Sequence, residues 1–317
     1  MARVLVTGGA GFIGSHLVDR LLEEENEVIV VDDLSHGTLR NLQANLRNGR
    51  LHFCKGDFAN HHILRENLPR VEMVVHLGAL TSVPESILHP ELYQRVNVGG
   101  TVALLQACVK HSVGRFVLAS SAAIYGSNKP PLFEEMTPNP LSPYGASKAS
   151  AEAFVQSFYS SYGLESVILR FMNVYGPRSL GFNEGVIAKF LEAAKEEQTL
   201  VIYGKGDHTR DYVHVFDIVD SILLAMKTRA SRADIFNIGT GHPTTINELV
   251  RLLQRSLGNS RLGIKHLSER EGEIGQSFAS INKAARVLRF APKVKLDDGV
   301  ADLLKRERLT SATDRNS

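Results

Sequence analysis

The sequence predicts an α/β fold: a doubly wound parallel sheet with a smaller mixed α/β region on its C-terminal side. Three observations predict it. Short apolar, β-branched runs alternate with stretches of helical period through the first half of the chain. The first run, Arg3–Thr7, breaks into the glycine turn Gly8-Gly9-Ala10-Gly11-Phe12-Ile13-Gly14, and an apolar pattern of helical spacing follows at Ile13, Leu17 and Leu21. The second run, Glu27–Val31, ends in an acid, Asp32, eighteen residues after Gly14.

Strand, glycine turn and helix in that order form the first half of a βαβ unit. Gly8 and Gly9 allow the tight turn, Gly11 lets the backbone approach a pyrophosphate, and Gly14 lets the helix lie close to the strand. The helix N-terminus then offers unpaired N–H groups and partial positive charge to phosphates. Asp32 is placed to accept hydrogen bonds from adenosine ribose hydroxyls and to repel a 2′-phosphate, so the Rossmann-type turn predicts NAD rather than NADP.

Further buried strands are read at Leu51–Cys54, Val71–Leu77, Arg115–Ser120 and Ser166–Arg170, with helices between them at Glu91–Lys110 and Pro143–Ser161. After Arg170 the rhythm changes. A Gly/Pro/Asn stretch (Asn173–Gly185) leads to a helix (Val186–Glu196), a strand (Thr199–Tyr203) and a polar loop (Gly204–Arg210). A strand at Ile235–Ile238 returns to the main sheet, and the polar tail Thr310–Ser317 reads as frayed. The expected organisation is a cofactor-binding domain over 1–172, rejoined by 212–239, and a substrate-binding domain formed by 173–211 and 240–317.

Composition excludes several classes. A net charge of +2 over 317 residues gives no sign of a nucleic-acid or membrane-surface role. No apolar run has membrane-spanning length, and the N-terminus is already the first strand, so no signal peptide is read and the expected compartment is the cytoplasm. Cys54 and Cys108 sit in apolar stretches without metal-ligand spacing, and no metal is expected.

The chemistry is carried by Ser142-Pro143-Tyr144-Gly145-Ala146-Ser147-Lys148. Ser142 as N-cap and Pro143 at the first helical position start a helix that brings Tyr144 and Lys148, four apart, to one face. A phenol beside a held ammonium and a positive nicotinamide ring has its phenolate favoured, as a general base requires. The strand at 115–120 ends in Ser120-Ser121, and a hydroxyl at a strand's carboxyl end can bond the sugar oxygen that loses its proton. Ser121 is assigned that role and Ser120 a structural one.

These stretches together resemble a family. TGGAGFIGS at 7–15, SSAAIYG at 120–126 and YGASK at 144–148 are similar to the extended short-chain dehydrogenase/reductases, and within them to the NAD-dependent nucleotide-sugar 4-epimerases typified by the UDP-glucose 4-epimerases. The resemblance runs nearly end to end, including LRFMNVYGPR at 169–178 and NIGTG at 237–241. It implies a cofactor set of Gly8, Gly11, Phe12, Ile13, Gly14, Asp32, Asp57, Phe58, Leu77, Ala79, Asn97 and Ser120, with Tyr144 and Lys148. Asp57 resembles the acid that contacts adenine, Asn60 stands where a second acid is usual, and Gly78 replaces an alanine in HLGA. The resemblance further implies that Ser121, Asn173 and the 183–187 loop with Val186 meet the nucleotide-sugar. Arg210 and Arg270 would neutralise its diphosphate, and Glu273 would take a nucleoside ribose hydroxyl. Arginine suits a diphosphate because it presents paired donors in a fixed fork.

Fold and cofactor do not choose a reaction; residues beside the nicotinamide do. Dehydratases of the family carry an Asp-Glu pair after the Ser/Thr, whereas this chain has Ala122-Ala123, which can neither give nor take a proton. The reading is therefore 4-epimerisation of a UDP-hexose through a transient 4-keto sugar, with UDP-glucose and UDP-galactose as substrates. Ser277, small where glucose/galactose-confined members carry tyrosine, extends the reading to UDP-GlcNAc and UDP-GalNAc. UDP-glucuronate 4-epimerisation is the alternative and rests on Arg178 and Lys189 as cations. Another nucleotide-sugar activity of the family and a non-catalytic NAD-sensing module are the remaining readings. Apolar residues on more than one face of the helices at 91–110 and 143–161 are either a double-sided core or a subunit interface, and the resemblance favours a homodimer.

Overall fold

The computed structural model describes residues 1–179, 185–196, 198–228, 232–257, 263–269 and 274–313. Its strands in chain order are β1 (Arg3–Thr7), β2 (Glu27–Asp32), β3 (Leu51–Lys55), β4 (Met73–His76), β5 (Arg115–Ser121), β6 (Ser166–Phe171), β7 (Asn173–Tyr175), β8 (Leu200–Tyr203), β9 (Thr209–His214), β10 (Arg232–Ile238), β11 (Pro243–Thr245), β12 (Ile264–Leu267) and β13 (Gln276–Ser277). The helices are α1 (Phe12–Glu23), α2 (His61–Asn67), α3 (Val83–Leu88), α4 (Pro90–Tyr93), α5 (Thr101–Lys110), α6 (Pro143–Tyr162), α7 (Val186–Lys195), α8 (Val215–Lys227), α9 (Ile246–Leu257), α10 (Asn282–Val287) and α11 (Leu296–Thr313).

Seven strands form one parallel sheet in the order β3-β2-β1-β4-β5-β6-β10. Alternation along each strand divides its apolar side chains between two layers. Val4 and Val6 join Leu17, Leu21, Ile218 and Ile222 on one face. Leu5 joins Leu104, Leu105, Val155 and Phe158 on the other. Each fully buried aliphatic side chain contributes about 1.5–3 kcal/mol, which is why the central positions of these strands are mostly apolar. The strand order reverses between β1 and β4, so the crevice beyond their carboxyl ends is where such sheets bind ligands.

The smaller region has its own core, in which Phe190, Leu191, Leu249, Leu253 and Leu303 pack beneath β8 and β9. There β9 runs antiparallel to β11 and parallel to β7 and β13, and β8 pairs with β12.

Four local readings change. The single helix expected over Glu91–Lys110 is α4, a wide π-type segment at Gln94–Gly100, and α5. Gly100 inside that segment packs on Phe58, where a Cβ would lie 2.7 Å from the ring. The polar loop expected through Arg210 ends earlier, because Thr209 and Arg210 pair with β11 and β13. Asn173–Tyr175, expected as part of a Gly/Pro/Asn loop, forms a strand because β9 supplies a parallel partner. Thr310–Thr313, expected to fray, continue α11. No helix among the described residues is long and apolar enough to cross a membrane.

Candidate active site

The cofactor cleft begins where β1 turns into α1. Gly8 adopts φ +69°, and Gly14 lies so close beneath it that a Cβ there would fall 2.1 Å from the Gly8 carbonyl oxygen. Gly11 is the N-cap of α1, and no side chain caps the helix, so its first amides remain available to an anion. Asp32 is buried at the end of β2. Its Oδ2 accepts from Ala10 N–H at 2.9 Å and its Oδ1 from Leu34 N–H at 2.9 Å. Burial pushes its carboxyl above the usual range, and the two amides oppose that shift. An uncapped helix end, a turn held open by glycine and an oriented acid fit the pyrophosphate and adenosine ribose of NAD.

The walls of the cleft explain two sequence departures. Phe58 packs edge-on against His76 at 4.9 Å, and a methyl on Gly78 would lie 2.9 Å from that ring, so the alanine usual at this position has no room. Asn60, where a second acid is usual, is the N-cap of α2 and accepts from His62 and Ile63 N–H. Asp57 is exposed and accepts from Ala59 N–H at 2.7 Å, while Leu77 and Ala79 are half-buried in the loop after β4. Asn97 is buried and bonds both Leu80 N–H and Leu80 C=O at 2.9 Å, and its Nδ2 also donates to Ser147 Oγ at 3.0 Å. The side chains of Phe58 and Asn97 are thus committed to protein partners.

α6 starts as its residues dictate: the Ser142 hydroxyl accepts from Gly145 N–H at 3.1 Å and Pro143 occupies the first turn. The helix stops at Gly163 in the left-handed conformation. Tyr144 is half-buried in the first turn, with the ring of Tyr93 standing edge-on at 6.4 Å. One turn on, Lys148 is buried and its Nζ donates to Ala119 C=O on β5 at 2.9 Å. Burial pushes the Lys148 pKa down to about 8, and the Glu152 carboxylate opposes that shift. Ser121 ends β5 half-buried, and its Oγ accepts from Ala123 N–H at 3.1 Å. Ser120 is buried, and its hydroxyl donates to Glu152.

Two strands of the smaller region bring substrate candidates together. The β9–β13 register sets Ser277 opposite Arg210, and the Arg210 guanidinium donates to Ile274 C=O at 2.8 Å and Thr209 C=O at 2.9 Å. Asn173 and Val186 line one small cavity of about 20 Å³ together with Gly185 and Tyr212. Asn173 Nδ2 reaches Asp211 C=O at 3.4 Å. Arg270, Glu273 and positions 183 and 184 of the expected substrate loop lie outside the described residues. Arg178 is paired with Asp19 of α1 at 2.8 Å, and Lys189 is exposed on α7.

Sequence reasoning missed two buried acids. Asp211 is wholly buried and takes Thr240 N–H, Thr240 Oγ–H and Gly241 N–H, which pins the loop after β10 to the strand carrying Arg210. Glu152 pairs with Arg170 inside the sheet–helix layer. The available signal was a charge inside an otherwise apolar run, as Arg170 is in β6.

Fold and cleft define an NAD-dependent enzyme of the extended short-chain dehydrogenase/reductase class that acts on nucleotide-sugars. Residues 4–239 match the model of the NAD dependent epimerase/dehydratase family, and the chain belongs to that family. A UDP-glucose 4-epimerase of Mycolicibacterium smegmatis is 38% identical over 307 residues, covering 94% of this chain and 96% of that one. The crystal structure of the Thermotoga maritima UDP-glucose 4-epimerase with UDP-glucose superposes with a TM-score of 0.91 at 38% identity, covering 97% and 99% of the two chains. A Streptomyces venezuelae dTDP-glucose 4,6-dehydratase solved with NAD bound superposes equally well, TM-score 0.91, at 34% identity over 96% and 97%. The likeness thus spans two reactions of one family.

Proposed function

We propose that this protein is a UDP-hexose 4-epimerase that interconverts UDP-glucose and UDP-galactose and, through a wider sugar pocket, the corresponding N-acetyl sugars. The observation that carries this reading is the turn after Ser121. Ala122 and Ala123 stand where elimination of water needs proton-transferring side chains, so the site is equipped to act at one ring carbon only. Tyr144, Lys148 and Ser121 form the reacting set. The Lys148 ammonium, anchored on the Ala119 carbonyl, favours the Tyr144 phenolate, which takes the proton of the sugar 4-hydroxyl while Ser121 Oγ orients that oxygen. NAD, when bound, supplies the acceptor and then the donor of one hydride at C4. Arg210, with Arg270, holds the diphosphate while the 4-keto sugar turns to present its other face, and Tyr144 returns the proton to the C4 oxygen. No net reductant is consumed.

The cofactor is held by Gly8, Gly11, Phe12, Ile13, Gly14 and Asp32, with Asp57, Leu77 and Ala79 lining the cleft. Asn173, Val186 and Ser277 are assigned to the nucleotide-sugar, and Glu273 to a nucleoside ribose hydroxyl. Ser277 beside Arg210 supports an N-acetyl group at C2, because a hydroxymethyl side chain leaves the space that a tyrosine ring would fill. The engagement of Arg178 by Asp19 favours neutral hexoses over a uronate. The outward faces of α5 and α6 are proposed to pair in a homodimer, which sedimentation of the purified protein tests.

A product screen over UDP-glucose, UDP-galactose, UDP-GlcNAc, UDP-GalNAc and UDP-glucuronate, without added reductant, decides the reaction. Epimer formation from the first four is expected, and Tyr144→Phe should abolish it. Release of a 4-keto-6-deoxy sugar, or turnover of the glucuronate alone, would replace this reading.

A further inference from the structure

Behind the Tyr144–Lys148 turn lies a buried charge that proton transfer does not itself use. Glu152, one turn beyond Lys148 on α6, is 3% exposed. Its Oε1 accepts the Ser120 hydroxyl from β5, and its two oxygens accept Arg170 Nε from β6 at 3.0 and 3.2 Å. Arg170 Nη2 adds a third bond to Oε2 at 2.7 Å, while Nη1 donates to Tyr125 Oη at 2.8 Å and Glu134 C=O at 3.1 Å. One carboxylate therefore joins a helix to two adjacent strands.

A buried ion pair is weak evidence for stability, because apolar side chains of equal volume often do as well or better. Its distinctive property is geometry. A bidentate guanidinium–carboxylate pair and a short hydroxyl bond fix position and rotation together, which an apolar contact does not. Ser120 lies between the two residues of β5 that matter most. The carbonyl before it takes the Lys148 ammonium, and the hydroxyl after it is Ser121.

We propose that Glu152 is a positioning residue for the Tyr144–Lys148 pair: by holding Ser120 and Arg170 at once, it sets α6 on β5 so that the ammonium of Lys148 meets the Ala119 carbonyl beside Ser121. The inference rests on the reading of Tyr144, Lys148 and Ser121 as the reacting set. The groups facing Lys148 agree with it. On its own helix stand Tyr144 and Glu152, from β4 comes His76, and from β6 comes Arg170 behind Glu152. His76 bonds the hydroxyls of Thr7 at 2.7 Å and Thr101 at 3.0 Å, and burial keeps it neutral, with a pKa lowered to about 3. Glu152 is thus the charge that favours the ammonium among the described residues.

The test is a pH titration of phenolate absorbance in the NAD-loaded protein, taken as the difference from Tyr144→Phe, alongside kcat and KM for UDP-galactose. Ser120→Ala removes only the bond from Glu152 to β5 and leaves its bonds to Arg170 on β6. It should raise the phenolate midpoint by about one pH unit and lower kcat about tenfold, with KM within twofold, in protein loaded with NAD to the wild-type level. Glu152→Gln alone leaves Arg170 without its counter-charge, so it is combined with Arg170→Met, which keeps the volume and removes both charges. That pair should shift the midpoint in the same direction. A merely structural role lowers the melting temperature of both variants and leaves midpoint and kcat as in the wild type, which would overturn the proposal; Ser120→Ala decides this even where the double variant does not fold. A Tyr144→Phe protein that still turns over, or shows no phenolate difference, removes the site reading itself, and the two failures are told apart by that control.

Discussion

Gly145 and Ala123 approach more closely than any residue bearing a side chain allows: a Cβ on Gly145 would lie 2.6 Å from the Ala123 carbonyl oxygen. Tyr144 precedes that glycine, and Ala123 donates its N–H to Ser121 Oγ. The contact therefore seats the first turn of α6 on the turn that ends β5, and it joins the two halves of the proposed reacting set through backbone.

Gly145→Ala should wedge these turns apart. Overpacking of this kind costs about 1–3 kcal/mol, and displacing a reacting group by an ångström can cost about a hundredfold in rate. The expected outcome is a folded protein with a lowered melting temperature and a kcat for UDP-galactose reduced at least tenfold. Unchanged kcat would show that the two turns need not touch.

Lys148 sets opposite pH trends for activity and stability. Its folded pKa is lowered by burial to about 8 from 10.5, so between those values the unfolded chain binds more protons and stability rises with pH. Below about pH 8 both states are charged, and the folded state bears the full desolvation cost, up to about 3 kcal/mol. Turnover should fall as the ammonium is lost above about pH 8. Lys148→Met should be the more stable protein at pH 7, and the gap should narrow by pH 10 in paired denaturant titrations.

Three buried histidines predict acid lability. Burial lowers His76 to about 3 and His16 and His214 to about 4, against 6.5 when unfolded. A lowered folded pKa means the unfolded state binds more protons between those values, so stability drops as pH falls from about 6.5 to 4. Each residue contributes about 3 kcal/mol or less across that window. His76→Asn, which can still bond Thr7, should flatten the slope in urea titrations at successive pH values.

Ser277→Tyr probes the proposed sugar pocket. Filling the space opposite Arg210 should lower kcat/KM for UDP-GlcNAc about a hundredfold and change UDP-glucose turnover less than threefold. Equal losses for both sugars would move the C2 pocket elsewhere.

Legibility followed range along the chain. The glycine turn, Asp32 and the Tyr144–Lys148 spacing are local patterns, and each occupies the element read for it. The continuous helix read at 91–110 failed because its break is made by contacts from elsewhere: Asn97 turns to Leu80 and Gly100 to the Phe58 ring. Arg210 looks like loop in sequence because β11 and β13, which make it strand, come more than thirty residues later. The place of Gly78 likewise depended on an aromatic ring twenty residues away in the chain.

Read alone, the chain shows most of the main sheet's strands and helices, the place of the dinucleotide turn, and the side chains proposed to carry the chemistry. Apolar periodicity, capping residues and short spacings act between neighbours in the chain. How those groups are held depends on the folded chain: Lys148 rests on the Ala119 carbonyl, Glu152 binds two strands at once, and Asp211 braces the strand of Arg210. Buried polar groups must find partners wherever the fold brings them, and those partners are chosen by three-dimensional proximity.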